Sequence, residues 1–156
     1  MILKPTEKMI EISKRVNAII PKLLLELLKM QADNIRARSL DGIDLQGDYF
    51  APYNEQYEKW KARTAGHLDW LRLTGEMMRS YVQRLKNQNT GDLKIGSGAV
   101  HSSKQINNLA GWHNFGTIGK GGSLPARSFW GFTPEDINTL HQYGARAISK
   151  AVHNAT

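Results

Sequence analysis

The chain contains no cysteine, which excludes a disulfide framework, thiolate metal sites and cysteine nucleophiles. It has no long apolar run either. The richest stretch, 19–28, is interrupted by Pro21, Lys22 and Glu26, far short of the ~18 apolar residues a membrane span needs. Charge arrives at Lys4 and Glu7, too early for the apolar core of a signal peptide, so a soluble, unexported protein with no membrane partner is expected. Acidic residues are missing between Asp92 and Glu135, a window that holds Lys94, His101, Lys104, His113, Lys120 and Arg127. No internal repeat and no low-complexity tract is present.

What is there is ordinary for a globular protein. The 156 residues are 40% hydrophobic, which excludes wholesale disorder and fibrous architectures and fits one domain, 1–156. Twenty-one Lys and Arg against fourteen Asp and Glu give a net charge of +7. Such a balance attracts nucleic acid or acidic surfaces and says nothing about fold. The acid-free window reads either as a solvated basic face or as a surface near DNA or an acidic partner.

The first forty residues form a helical segment by pattern. Met9, Ile12, Val16, Ile19, Leu23, Leu27, Met30 and Ala32 recur at helical steps with charges between them. Thr6 is the expected N-cap, Pro21 predicts a kink or two abutting helices, and Asp41-Gly42 ends the element. The segment 41–156 then reads as α+β. A short helix is expected over 54–61. Leu73, Met77, Met78, Tyr81, Val82 and Leu85 hold helical spacing with Thr74 as a cap, although 81–86 also reads as a strand. Asn87-Gln88-Asn89-Thr90-Gly91-Asp92 is a turn leading to a returning strand at Leu93-Lys94-Ile95, hence a hairpin. Four glycines within 116–123 predict a flexible loop, and the aromatics of 127–132 predict a strand. Thr133-Pro134-Glu135-Asp136 opens a last helix, with a buried stripe of Ile137, Leu140, Gly144, Ala147, Ile148 and Val152. The expected architecture is a small antiparallel sheet packed against a long, Pro-kinked N-terminal helix and a C-terminal helix.

Chemical motifs were tested against these elements. Gly119-Lys120 is followed by Gly121 where a Walker loop needs Ser or Thr, and Asn114 stands where its first glycine belongs. Gly116-Thr117-Ile118-Gly119 matches the short GXXG of KH domains, a pattern of low specificity. None of His67, His101, His113, His141 and His153 has metal-ligand spacing on a helix. There is no Gly-x-Ser-x-Gly elbow. The expectation is therefore a non-enzymatic protein with no cofactor, no metal and no catalytic residue. The large side chains Trp112, His113 and Phe115 before the glycine loop, and Phe129, Trp130 and Phe132 after it, suit either a core or a partner interface.

Three blocks together resemble a family of tailed-phage neck proteins, the virion morphogenesis or tail-completion proteins. Leu73-Thr74-Gly75 with Met78 and Ser80 is similar to the family's Leu-x-x-Thr-Gly-x-Leu-x-x-Ser block. Ala110-Gly111-Trp112-His113-Asn114-Phe115-Gly116-Thr117 resembles its Tyr-Ala-x-x-His-x-x-Gly block, with Leu109 in place of the Tyr. Leu124-Pro125-Ala126-Arg127-Ser128-Phe129-Trp130-Gly131-Phe132 is similar to its Ile-Pro-Ala-Arg-Pro-Phe-Leu-Gly stretch, with Ser128 in place of the second Pro. The aromatic passage from Phe50 to Lys61 fits the region before the first block.

The resemblance implies a structural protein placed between the capsid connector and the tail tube, at home in the virion and in the host cytoplasm during assembly. It implies a homo-oligomeric ring, a hexamer by expectation, with connector or head-completion proteins and the tail tube or tail terminator as partners. In that setting Trp112, His113, Phe115, Arg127, Phe129 and Trp130 are the expected subunit contacts, with Arg127 anchoring the loop base through a carboxylate or backbone carbonyls. Gly116, Gly119, Gly121 and Gly122 form a flexible docking loop. Lys94, Lys104 and Lys120 face packaged DNA or an acidic connector surface in non-specific, salt-sensitive contact. The alternatives are a tail terminator, or a free non-specific nucleic-acid-binding domain with Trp112 and Phe115 as stacking platforms.

Overall fold

A computed structural model describes residues 5–71, 76–95, 110–119 and 122–154. The fold is α+β, with a long N-terminal helix, a C-terminal helix and two small two-stranded antiparallel sheets. In chain order the elements are α1 (Pro5–Asp41), α2 (Glu55–Ala65), α3 (Glu76–Arg79), β1 (Tyr81–Asn87), β2 (Thr90–Ile95), α4 (110–115), β3 (Thr117–Gly119), β4 (Gly122–Leu124) and α5 (Pro134–His153). They form two compact units. One comprises Met1–Gln31, Gln83–Asp92 and Pro134–Thr156; the other comprises Ala32–Val82 and Leu93–Thr133.

In the first unit α5 runs antiparallel to the N-terminal part of α1. Arg15 donates to the Asn154 carbonyl, the Tyr143 hydroxyl meets Glu26 at 3.0 Å, and Gln31 Nε2 donates to buried Asp136 at 3.3 Å. α1 continues as one helix through Pro21, not as two abutting ones. The proline removes one intrahelical hydrogen bond, but α5 holds α1 on both sides of it, so the turns stay in line. Thr6 lies inside the first turn and is not the cap. Burial in this unit is thin: among its described apolar side chains only Leu23 is buried. Ile137 and Ile148, expected in the buried stripe of α5, are 57% and 39% exposed, and Met9 of α1 is 71% exposed. The hairpin β1–β2 turns at Gln88-Asn89, as its turn chemistry predicts, with Asn87 Oδ1 accepting from Asn89 N at 2.8 Å. Lys86 and Asp92 pair across it at 2.9 Å.

The second unit holds the core: Ala32, Ile35, Phe50, Leu71, Met77, Tyr81, Ile95, Ala110 and Phe129. α1 ends here in a Schellman cap, with Ile43 N bonding Arg38 O at 3.0 Å and Gly42 N bonding Ser39 O at 3.3 Å. Gly42 has φ +75°, and a Cβ at that position would fall inside the Trp70 indole. α2 starts at Asn54, whose Oδ1 accepts from Tyr57 N at 2.8 Å, and runs four residues past the expected end to the αL glycine Gly66.

Three expectations are corrected in this unit. The helix predicted through Leu85 is confined to α3 among the described residues, because Ser80 folds back onto the Met77 carbonyl with both its amide and its hydroxyl. Tyr81 and Val82 then enter a strand; the Thr74 cap lies outside the described residues. The glycine segment is a hairpin rather than a loop, pairing Thr117 with Leu124, Ile118 with Ser123 and Gly119 with Gly122. Its tip, Lys120-Gly121, lies outside the described residues. Finally, 127–132 is not a strand. Its backbone groups are taken in different directions by Ser128 O to Leu45 N, Arg127 N to His113 O and Phe129 N to Arg127 O, so no ladder forms.

Candidate functional site

The resemblance blocks converge on Arg127. Its side chain is 1% exposed, and its Nη2 donates to the Ala51 carbonyl at 3.0 Å. The guanidinium lies 4.7 Å from the ring centroid of Tyr53 and 5.8 Å from that of Trp70. No protein acceptor meets its Nε or Nη1, so aromatic faces replace a carboxylate as the charge's partner. Of the two expected anchors, backbone carbonyl and carboxylate, the carbonyl is the one present.

Tyr53 is held from several sides. Lys61, buried in α2, donates Nζ to the Tyr53 hydroxyl at 3.1 Å and to the Asp69 carbonyl, and its Nζ lies 4.5 Å from the ring centroid. The same hydroxyl accepts from Leu71 N at 3.2 Å. Tyr57 and Trp70 pack on the ring at centroid distances of 4.9 Å each. Burial raises the Tyr53 pKa, and burial lowers those of Lys61 and Arg127.

The α4 block locks onto this cluster. His113 O accepts from Arg127 N at 2.7 Å, and Asn114 Oδ1 accepts from Trp130 N at 2.9 Å. Gly116 turns the chain at φ +73°, where a Cβ would sit 2.8 Å from Leu124 O and 2.9 Å from Ala126 N. Only glycine fits there. Burial, reinforced by the charges of Arg127 and Lys61, pushes the His113 pKa down to about 4, so the imidazole is neutral at physiological pH.

The expected interface residues therefore separate. Phe129 is 0% exposed and Arg127 is buried, so neither presents a side chain to a partner; His113 is mostly covered. Trp130 is half-buried and stacks on Tyr81 at 5.7 Å, with the Arg36 guanidinium 5.3 Å from the Tyr81 centroid. Trp112 and Phe115, three residues apart on one side of α4, are 53% and 81% exposed. Phe115 borders an open cleft of about 310 Å³ lined by Leu93, Ile95, Ala110, Phe129 and Trp130, with exposed Lys94 at its edge. Phe132 adds a further exposed ring. Lys104, Lys120 and Gly121 lie outside the described residues, and Gly119 and Gly122 are strand residues.

Sequence reasoning missed Tyr53, Lys61 and Trp70 as members of the cluster. A lone helical lysine reads as a surface residue, so only its place in the aromatic passage from Phe50 onward pointed to it. Among the described residues, no group of three or more His, Asp or Glu side chains is placed to hold a metal ion. No protein-family model, no curated protein and no solved structure matches this chain.

Proposed function

We propose that this chain is a structural virion protein of the phage neck, a tail-completion or head–tail joining subunit that forms a ring around the DNA path between connector and tail tube. The observation that carries the reading is the interlock of two resemblance blocks. Residues 110–117 and 124–132 are joined by Arg127 N to His113 O, Trp130 N to Asn114 Oδ1, and the glycine-only contact at Gly116. The polar groups of both blocks serve to hold one rigid piece that carries Trp112, Phe115 and Phe132 outward. Exposed aromatics beside an apolar cleft are the composition of an interface core.

In this reading a neighbouring subunit covers Trp112, Phe115 and the cleft beside Trp130. Lys94, at the cleft edge, meets an acidic surface or the DNA backbone through long-range, salt-screened attraction. Arg127 acts indirectly, as the post that fixes the presenting segment.

Electron microscopy of a lysate from the parent phage with this gene disrupted tests the proposal. The expected image is DNA-filled heads beside finished, unattached tails. Abnormally long tails would move the protein to tail termination. Normal virions would overturn the neck role and favour a free nucleic-acid-binding domain, which tight, salt-dependent DNA binding by the isolated chain would then support.

A further inference from the structure

The C-terminal helix α5 has three sides. One faces α1 through Asp136, Tyr143 and the small Gly144, whose position approaches Leu27. A second carries the charges Glu135, Arg146 and Lys150 into solvent. The third comprises Pro134, Asn138, His141, Ala145, Ile148 and Val152, which follow one another at alternating steps of four and three residues. No Asp, Glu, Lys or Arg interrupts that stripe over five turns, although 22% of the chain is charged. All six but Val152 are exposed, Val152 is half-buried, and Ile137 flanks the stripe at 57% exposure.

A repeat of 3.5 residues along one face is the pattern by which a helix seats against a second helix. α1 does not supply that second helix, because it covers the adjacent side. The first unit buries Leu23 alone among its described apolar side chains, so it has little core with which to offset this exposed face.

We propose that the stripe of α5 pairs with the same stripe of a second copy of this chain, antiparallel, about a two-fold axis near Tyr143. The direction follows from charge. α5 opens with Glu135 and Asp136 and closes with Lys150 and His153, so an antiparallel copy sets the acidic start beside the basic end, while a parallel copy sets like on like. The helix dipoles favour the same direction. About that axis Asn138 faces the second copy's Ile148, His141 faces its Ala145, and Pro134 faces its Val152. The contact is isologous, each stripe serving both as patch and as receptor. The inference does not rest on the neck reading, which places its contacts at α4.

The absence of native cysteine makes a clean test possible. Within one helix, positions 138 and 148 are about 15 Å apart along the axis, too far for a disulfide. Across the proposed axis they are adjacent. The full-length double variant Asn138→Cys, Ile148→Cys should form a covalent dimer on mild oxidation, whereas each single variant should not, since like positions are about 15 Å apart in the pair. Light scattering after size exclusion should show the native chain as a dimer or a multiple of dimers. Ile148→Glu should weaken that association by about 30-fold or more, with helical content unchanged by circular dichroism. A monomeric native chain would overturn the pairing and leave the ring proposal standing. Crosslinking of the single variants as efficiently as the double would overturn the antiparallel register. Loss of assembly with the α4 aromatics mutated, but not with Ile148→Glu, would favour the neck contact alone and defeat this one.

Discussion

The Arg127 guanidinium lies over the Tyr53 ring, 4.7 Å from its centroid, and Lys61 Nζ lies 4.5 Å from the same centroid. One aromatic side chain thus serves two buried cations, and its hydroxyl accepts from Lys61 and from the Leu71 amide. Segments far apart in the chain, Ala51-Pro52-Tyr53, α2 and the 124–132 block, are fixed together by this arrangement.

Arg127→Ala should therefore lower stability by about 2–4 kcal/mol, through the lost cation–aromatic contact, the lost bond to Ala51 O and the space left behind. Urea unfolding checks it. Arg127→Lys should recover little, because an ammonium cannot lie flat on Tyr53 while reaching Ala51 O. A native midpoint in Arg127→Ala would sink the anchoring role.

Acid should weaken the fold through His113. In the folded chain this imidazole stays neutral down to about pH 4, whereas the unfolded chain takes up the proton near 6.5. Between those values the unfolded state binds more protons, so stability is full above pH 6.5, falls as the pH drops towards 4, and levels off below. The part owed to His113 is on the order of 2–3 kcal/mol. Carboxylates titrate in the lower half of that window, so the measurement is a difference. The stability-versus-pH slope of His113→Gln should be shallower than the native slope between pH 5 and 6.5, and equal slopes would remove His113 as the cause.

Gly42→Ala tests the junction between the end of α1 and the aromatic cluster. Alanine is strained at φ +75°, and its Cβ would enter the Trp70 indole, which itself packs on Tyr53 and Phe50. The expected loss is about 2–3 kcal/mol, more than the backbone effect alone. Trp70 fluorescence should change in the folded state; Gly47→Ala, at a positive φ in open space, should cost only the backbone share.

Elements governed by local chemistry were legible in the sequence. The Asn54 cap, the Asp41-Gly42 stop, the Asn-rich turn before β2 and the Thr-Pro-Glu-Asp start of α5 each carry their own hydrogen-bonding or φ preference. What was not legible depends on partners distant in sequence. Arg127-Ser128-Phe129-Trp130 has strand composition, but Leu45, His113 and Asn114 claim its backbone groups before a ladder can form. Lys61 reads as solvent-facing until the Tyr53 hydroxyl and the Asp69 carbonyl are placed beside it. Ile137 and Ile148 fit a buried stripe by spacing, yet α1 packs against the adjacent side of α5, through Tyr143 and Gly144.

Trp112 and Phe115 separate folding from assembly. Both project from α4 with 53% and 81% exposure, while their neighbours His113 and Asn114 face inward and hold the 124–132 block. The double variant Trp112→Ser, Phe115→Ser removes the projecting rings and leaves every inward bond in place. Its unfolding free energy should stay within about 0.5 kcal/mol of native, the usual range for surface changes. Its ability to complement a phage lacking the gene should fall sharply, because exposed aromatics are where interface energy concentrates. Asn114→Ala is the converse: it strips the acceptor from Trp130 N, costs about 1–2 kcal/mol, and should depress complementation only as far as it depresses folding. If the serine variant complements normally, the α4 aromatics are not the assembly contact, and the cleft beside Trp130 loses its proposed occupant.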